Sequence, residues 1–226
     1  MVYVESNIVG FINLLECMRH ANVFKLVYAS SSSIYGNSKN IPFNVNDKVD
    51  EPISLYAASK KTNELMAYTY SHLFNIQSIG LRFFTVYGPW GRPDMAMFLF
   101  TDAIFKNKPI KVFNNGELYR DFTYIDDIIE GVVLTLLHDG KVKLPYKIYN
   151  IGNNTPVKLL NFITEIEKCT GLEAKKQYLP MQPGDVEKTW ADISGLKEDF
   201  GYNPISKIPE GIEKFVNWYK QYYKVC

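Results

Sequence analysis

Apolar and polar positions along this chain recur with two different periods, and each change of period marks an element. Over residues 5–21, Ile8, Phe11, Ile12 and Leu15 fall at three- and four-residue spacing, which predicts a helix. Lys25 to Ser30 (KLVYAS) is a short apolar run of the kind a strand buried on both faces shows. A loop carrying Gly36, Pro42 and Pro52 follows. Ser54 is placed to cap a helix over 55–74, with Leu65, Met66, Thr69 and Leu73 on one side. A strand is expected over 76–83, running into the turn-rich TVYGPWGRPD. Beyond it the pattern predicts a helix at 95–106, short strands at 110–113 and 122–125, and a helix capped by Asp126 or Asp127 and reaching 138. Strand 147–151, helix 157–169, strand 175–179 and a helix over 209–223 complete the series.

Strands that alternate with helices imply an α/β chain with a parallel sheet covered by helices on both faces. The C-terminal third has longer loops and more proline, which reads as a smaller lobe beside the main sheet. The 226 residues, 46% of them hydrophobic, suffice for one large domain or two small ones.

Charge removes some partners. The formal net charge is +1, and lysines and arginines are scattered, so no field favours nucleic acid or an anionic membrane. No run of about 18 apolar residues exists to span a bilayer. Three distant cysteines, Cys17, Cys169 and Cys226, form no CxxC pair, and MVYVESNIVG lacks a basic segment followed by an apolar one. Together these predict reduced thiols in a cytoplasmic protein without a signal peptide. His20, His72 and His138 lie in separate predicted helices, so no metal site is expected. The aromatic group Trp218, Tyr219, Tyr222 and Tyr223 reads as packing.

The strongest chemical feature is Tyr56-Ala57-Ala58-Ser59-Lys60. Positions i and i+4 share a helix face, so phenol and ammonium lie near each other. A cation beside a phenol favours the phenolate, and a phenol brought down from about 10 can act as a general base near neutral pH. Alone, this spacing is weak, because tyrosine and lysine are abundant and most such pairs line a solvated helix face. Upstream, a predicted buried strand ends in Ser30, Ser31, Ser32 and Ser33. Ligands bind at the carboxyl ends of strands in open α/β sheets, and hydroxyls there can bond a substrate oxygen. A serine run by itself reads as a polar loop.

Five segments, in order, carry a specific resemblance: YASSSSIYG, SLYAASKKTNELM, GLRFFTVYGPWGRPDMA, YRDFTYIDDIIEG and PMQPGDV. They resemble the extended short-chain dehydrogenase/reductases, and within these the NAD-dependent UDP-glucuronate 4-epimerases. The resemblance implies a Rossmann-type doubly wound sheet with a smaller C-terminal substrate lobe. Residues 1–88 would be the remaining C-terminal half of the NAD-binding domain, with 119–151 also packing on it. Residues 89–226 would mainly form the sugar-nucleotide lobe.

The resemblance also implies roles. Tyr56 would take the proton of the sugar C4 hydroxyl, Lys60 would bond the cofactor ribose, and Ser31 would bond the C4 oxygen. Ala29, Ser30 and Phe83 would join Tyr56 and Lys60 around NAD. Related 4,6-dehydratases carry an Asp-Glu pair where Ser32 and Ser33 stand, and UDP-xylose-forming decarboxylases a Glu at Ser33. Neither carboxylate is present, so simple epimerisation is implied, with room for a C5 substituent. Arg92 is a candidate anion contact, since a guanidinium suits carboxylate or phosphate; on base rates of exposed charge a loop arginine is the competing reading. Arg120 and Asp185 match UDP-binding positions, and Phe113 one near the uracil. Thr85 and Gln182 stand where UDP-galactose enzymes usually have Asn and Arg, which favours UDP-glucuronate as substrate and UDP-galacturonate as product. UDP-glucose, a UDP-N-acetylhexosamine, or a non-catalytic UDP-sugar-binding remnant are the alternatives.

A GxxGxxG turn, which the family places after its first strand, does not occur in the sequence. Its glycines let the backbone approach the cofactor pyrophosphate. The first predicted helix resembles the family's fourth, so about 90 residues are expected to be missing, judged from βαβ unit sizes. The expectation follows that this chain alone binds NAD poorly and turns over little, with a second chain supplying the first half as one explanation. Family members commonly form homodimers through two helices, matching 5–21 and 55–74 here.

Overall fold

A computed structural model of the chain describes residues 1–138, 145–181 and 186–225. Backbone contacts divide it into two compact units. The first comprises Met1–Phe84, Glu130–Ile151 and Ala191–Tyr202; the second comprises Thr85–Ile129, Gly152–Trp190 and Asn203–Cys226.

In the first unit a π-helical segment, Val4–Val9, leads into helix α1, Gly10–His20. Strand β1, Lys25–Ser31, ends in a 3₁₀ turn, Ser32–Tyr35. Helix α2, Leu55–Phe74, begins where expected: the Ser54 hydroxyl accepts the Ala57 N–H at 3.1 Å, satisfying a free amide of the first turn. Strand β2, Gln77–Phe83, pairs in parallel with β1 on one side and with β7, Tyr146–Ile151, on the other. Successive β7 residues point to opposite faces. Ile148 joins the cluster of Leu15, Met18, Leu26, Tyr28 and Ala67 under α1 and α2. Tyr149, on the other face, donates its hydroxyl to Asp199 of helix α6, Ser194–Phe200. The three parallel strands are thus covered on both faces, the Rossmann-type arrangement.

The second unit packs around Phe122 and Phe162, whose rings stack at 3.9 Å. It contains β3 (Thr85–Tyr87), α3 (Ala96–Phe105), β4 (Ile110–Phe113), β5 (Tyr119–Arg120) and β6 (Phe122–Tyr124). Strands β8 (Val157–Lys158), β9 (Lys176–Leu179) and β10 (Lys188–Thr189) follow, with helices α5 (Leu159–Thr170) and α7 (Ile208–Tyr223). These strands form small sheets: β3 with β6, β4 with β9, and β5 between β10 and β8. Helix α4, Ile125–Leu137, is shared by the two units. No helix among the described residues is long and apolar enough to cross a membrane.

Three expectations need correction. Helix α4 already begins at Ile125, so Asp126 and Asp127 lie in its first turn rather than before it. The Asp127 carboxylate instead accepts the N–H groups of Ile205 and Ser206, at 3.3 and 3.1 Å. Leu65 and Leu73 are exposed on α2. Its buried side is Ala57, Ser59, Asn63, Glu64, Ala67 and Ser71, because this helix docks through hydrogen bonds and small side chains. The segment read as turn also holds β3, whose three residues pair with β6.

Candidate active site

Each unit carries one group of the expected site residues. In the first unit, Ala29, Ser30 and Ser31 form the carboxyl end of β1, and Ser31 pairs in register with Phe83 of β2. The chain turns at once into the 3₁₀ segment because Ser31 caps it. Its Oγ accepts the Ser33 N–H and donates to the Ser33 hydroxyl, both at 3.2 Å. Ser31 is buried, Ser32 half-buried and Ser33 exposed. The Ser30 hydroxyl turns inward and donates to Glu64 at 2.6 Å, so Ser30 offers a ligand its backbone rather than its side chain.

Tyr56 and Lys60 lie one turn apart near the start of α2, both half-buried. The Lys60 ammonium is 5.9 Å from the centre of the Tyr56 ring and donates to the Ala29 carbonyl at 3.1 Å. Burial lowers the Lys60 pKa from its ordinary value. Tyr3 packs on the other partner, its ring centre 5.5 Å from that of Tyr56. Asn7 donates to Ser59, and Ser59 to the Tyr56 carbonyl, which fixes the first turn of α2.

An ammonium has three N–H groups, and Ala29 takes one of them. The remaining two suit a vicinal pair of hydroxyls such as a ribose diol, and Ala29 itself is exposed beside them. Lys60, with the backbone of Ala29 and Ser30 and with Phe83, therefore fits the ribose end of a nicotinamide cofactor. The described residues include no cluster of groups able to hold a metal ion.

In the second unit, a cavity of about 640 Å³ is lined by Thr85, Phe113 and Arg120 together with Phe100, Leu118 and Phe122. Sequence spacing did not single out Lys108 and Lys111, which line it too. With Arg120 they face a single lining carboxylate, Asp102, which is paired with Lys106 at 2.6 Å. The balance is cationic and suits a polyanion. Arg120 is oriented by bonds to the carbonyls of Tyr119 and Glu187, at 3.0 and 3.2 Å. Arg92 is not among these lining residues; it is exposed and paired with Asp94 at 3.3 Å. Asp185 and Gln182 lie outside the described residues.

The sequence model of the NAD dependent epimerase/dehydratase family matches residues 1–152. The chain belongs to this family. Protein CapI of Staphylococcus aureus is 52% identical over 98% of this chain and 71% of its own length. UDP-glucuronate 4-epimerase 5 of Arabidopsis thaliana is 47% identical over 98% of this chain and 54% of that protein. Among solved structures, a Bacillus cereus UDP-glucuronic acid 4-epimerase in complex with UDP-glucuronic acid and NAD superposes with a TM-score of 0.91. It is 34% identical, and the match covers 97% of this chain and 69% of that one. The family places the chain among NAD-dependent enzymes, consistent with the ribose-sized donor pair at Lys60.

Proposed function

We propose that the chain carries the acid–base and sugar-nucleotide residues of a UDP-sugar 4-epimerase whose substrate is UDP-glucuronate and whose product is UDP-galacturonate. The observation that carries this reading is the position of Lys60 between Tyr56 and the Ala29 carbonyl, near the end of β1 and two residues before the Ser31 cap. In the reaction, Tyr56 takes the proton from the C4 hydroxyl and later returns it. Ser31 donates a hydrogen bond to the C4 oxygen and holds it as the carbon becomes a ketone. Lys60 bonds the cofactor ribose and keeps a positive charge beside the phenol. Bound NAD supplies the acceptor and donor of the C4 hydride. Inversion at C4 would require the oxidised sugar to present its opposite face before it is reduced.

Ser32 and Ser33 support epimerisation over elimination, since neither position offers a carboxyl group to remove or deliver a second proton. In the second unit, Arg120 would bind the diphosphate, Phe113 would lie against the uracil, and Thr85 would line the sugar pocket. Asp185 would bond the uridine ribose, and Arg92 would meet the sugar carboxylate. The residues of 1–88 would thus serve the cofactor and 89–226 mainly the nucleotide sugar. Exposed Ile12 and Leu14 on α1, with Leu65, Tyr68 and Leu73 on α2, support pairing of two copies through these helices.

The experiment is incubation with NAD and UDP-glucuronate, for the chain and for a version extended to the length of its relatives. Separate reactions with UDP-glucose and UDP-N-acetylglucosamine complete the set. Appearance of UDP-galacturonate as the favoured product supports the reading. Turnover of only the neutral sugars would replace the substrate, and UDP binding without turnover in either version would leave a binding module.

A further inference from the structure

The first unit holds a buried ion pair that the proposed chemistry does not use. Glu64 lies one helical turn beyond Lys60, so Tyr56, Lys60 and Glu64 follow one another at four-residue spacing along α2. Its carboxylate accepts Arg82 Nε at 2.9 Å and Nη2 at 3.0 Å, and the two side chains are only 3–4% exposed. The same carboxylate accepts the Ser30 hydroxyl at 2.6 Å. Arg82 belongs to β2 and also donates to the Tyr35 hydroxyl at 2.9 Å. Tyr35, at the end of the 3₁₀ turn, donates in turn to Asn150 of β7 at 2.7 Å.

One carboxylate therefore ties the helix that bears Tyr56 and Lys60 to the strand that bears Ala29 and Ser31, and through Arg82 to the next two strands. Breaking one partner of a buried pair is strongly destabilising, while replacing the whole pair by apolar groups is often neutral. Stability alone therefore gives little reason for its presence. We infer that Glu64, acting through Ser30 and Arg82, is a positioning residue that sets Lys60 against the Ala29 carbonyl and Tyr56 against Ser31. The inference rests on the reading of Tyr56 and Lys60 given above.

Competitive acetylation followed by mass spectrometry, across a pH series, reports the titration and the accessibility of Lys60 in the folded chain. In the wild type Lys60 titrates below the ordinary lysine range. In E64Q loosened docking lets Lys60 reach water, so its titration moves up and its accessibility rises on the order of tenfold, the effect of losing about one hydrogen bond that holds it. Simple removal of the Glu64 charge has the opposite sign, because a lost anion disfavours the ammonium. The variant S30A deletes only the link from Glu64 to β1 and leaves every charge in place. It should move Lys60 in the same direction by a smaller amount, and it decides the matter if E64Q does not fold. Variants that melt earlier but keep wild-type Lys60 titration and accessibility would overturn the inference and leave the Tyr56–Lys60 reading intact. A wild-type Lys60 that titrates as an ordinary exposed lysine would also overturn the inference, whereas the Tyr56–Lys60 reading stands or falls on the turnover experiment above.

Discussion

Asp121 accepts the backbone N–H of Asn153 at 2.7 Å, and this bond fixes the loop after β7 to the strand region that bears Arg120. The carboxylate is fully buried and also accepts the Asn154 N–H at 3.0 Å and the Thr123 hydroxyl at 2.9 Å. Its backbone carbonyl accepts the Thr85 N–H at 3.1 Å, so the two cavity residues Thr85 and Arg120 share one anchor.

D121A leaves those donors without their acceptor in a closed environment. At about 1–3 kcal/mol for each unsatisfied group, partly relieved by water entry, the expected loss is about 3 kcal/mol in urea unfolding. D121N keeps one acceptor oxygen and should lose less. A D121A variant within about 1 kcal/mol of wild type, the scatter of ordinary single hydrogen bonds, would show that the loop does not depend on this carboxylate.

Arg120 lies in a cationic cavity and is already aimed by two carbonyls, so little ordering is needed when an anion arrives. R120A should weaken UDP binding by about 10- to 100-fold in calorimetry, the range for a charge-assisted contact. Arg92 is exposed, paired with Asp94 and bonded to the Met95 sulfur. R92A should therefore leave UDP affinity near wild type and reduce the preference for UDP-glucuronate over UDP-glucose. Equal losses for the acidic and neutral sugars in R92A would remove Arg92 from carboxylate recognition.

The parts of this molecule visible in the sequence are those that local chemistry specifies. Ser54 marks the start of α2 because a side-chain cap is a local event, and KLVYAS marks β1 because a doubly covered strand is apolar throughout. Tyr56 and Lys60 were legible for the same reason, being one turn apart. Glu64 has the same spacing from Lys60, yet its meaning depends on Arg82 and Ser30, which reach it only after the sheet has formed. Likewise Lys108 and Lys111 gain their place beside Arg120 from the packing of β4, not from any motif. The short strands β5, β8 and β10 have two residues each, too few for a period to show.

Gly80 sits in the middle of β2, where the absence of a side chain has a packing cause. A Cβ there would lie 2.5 Å from Ile148 Cδ1 and 2.6 Å from the Tyr28 hydroxyl, both from the adjacent strands. G80A should cost about 1–3 kcal/mol through overpacking, measured by thermal or urea unfolding. The paired change G80A with I148V removes one of the two clashes and should recover part of the loss. Equal stability of G80A and wild type would mean that the two neighbours shift freely.

Glu16 gives a prediction in pH. Its carboxylate is held at about 2, mainly by hydrogen bonds from Arg19 and then from the Tyr70 hydroxyl of α2, with desolvation opposing. A folded value below the ordinary 4.5 means that the unfolded chain binds the proton more readily. The contribution to stability is therefore present above about 4.5 and is lost as the pH falls towards about 2. Carbon-detected NMR titration of Glu16 should give a midpoint near 2 in the wild type. In R19A the midpoint should rise most, and in Y70F by less, following the order of the two bonds. Added salt should weaken the part due to the Arg19 charge while leaving the directed hydrogen bonds, because the site is open to solvent. A Glu16 that titrates in the ordinary carboxylate range would show that the link between α1 and α2 through Tyr70 does not form in solution.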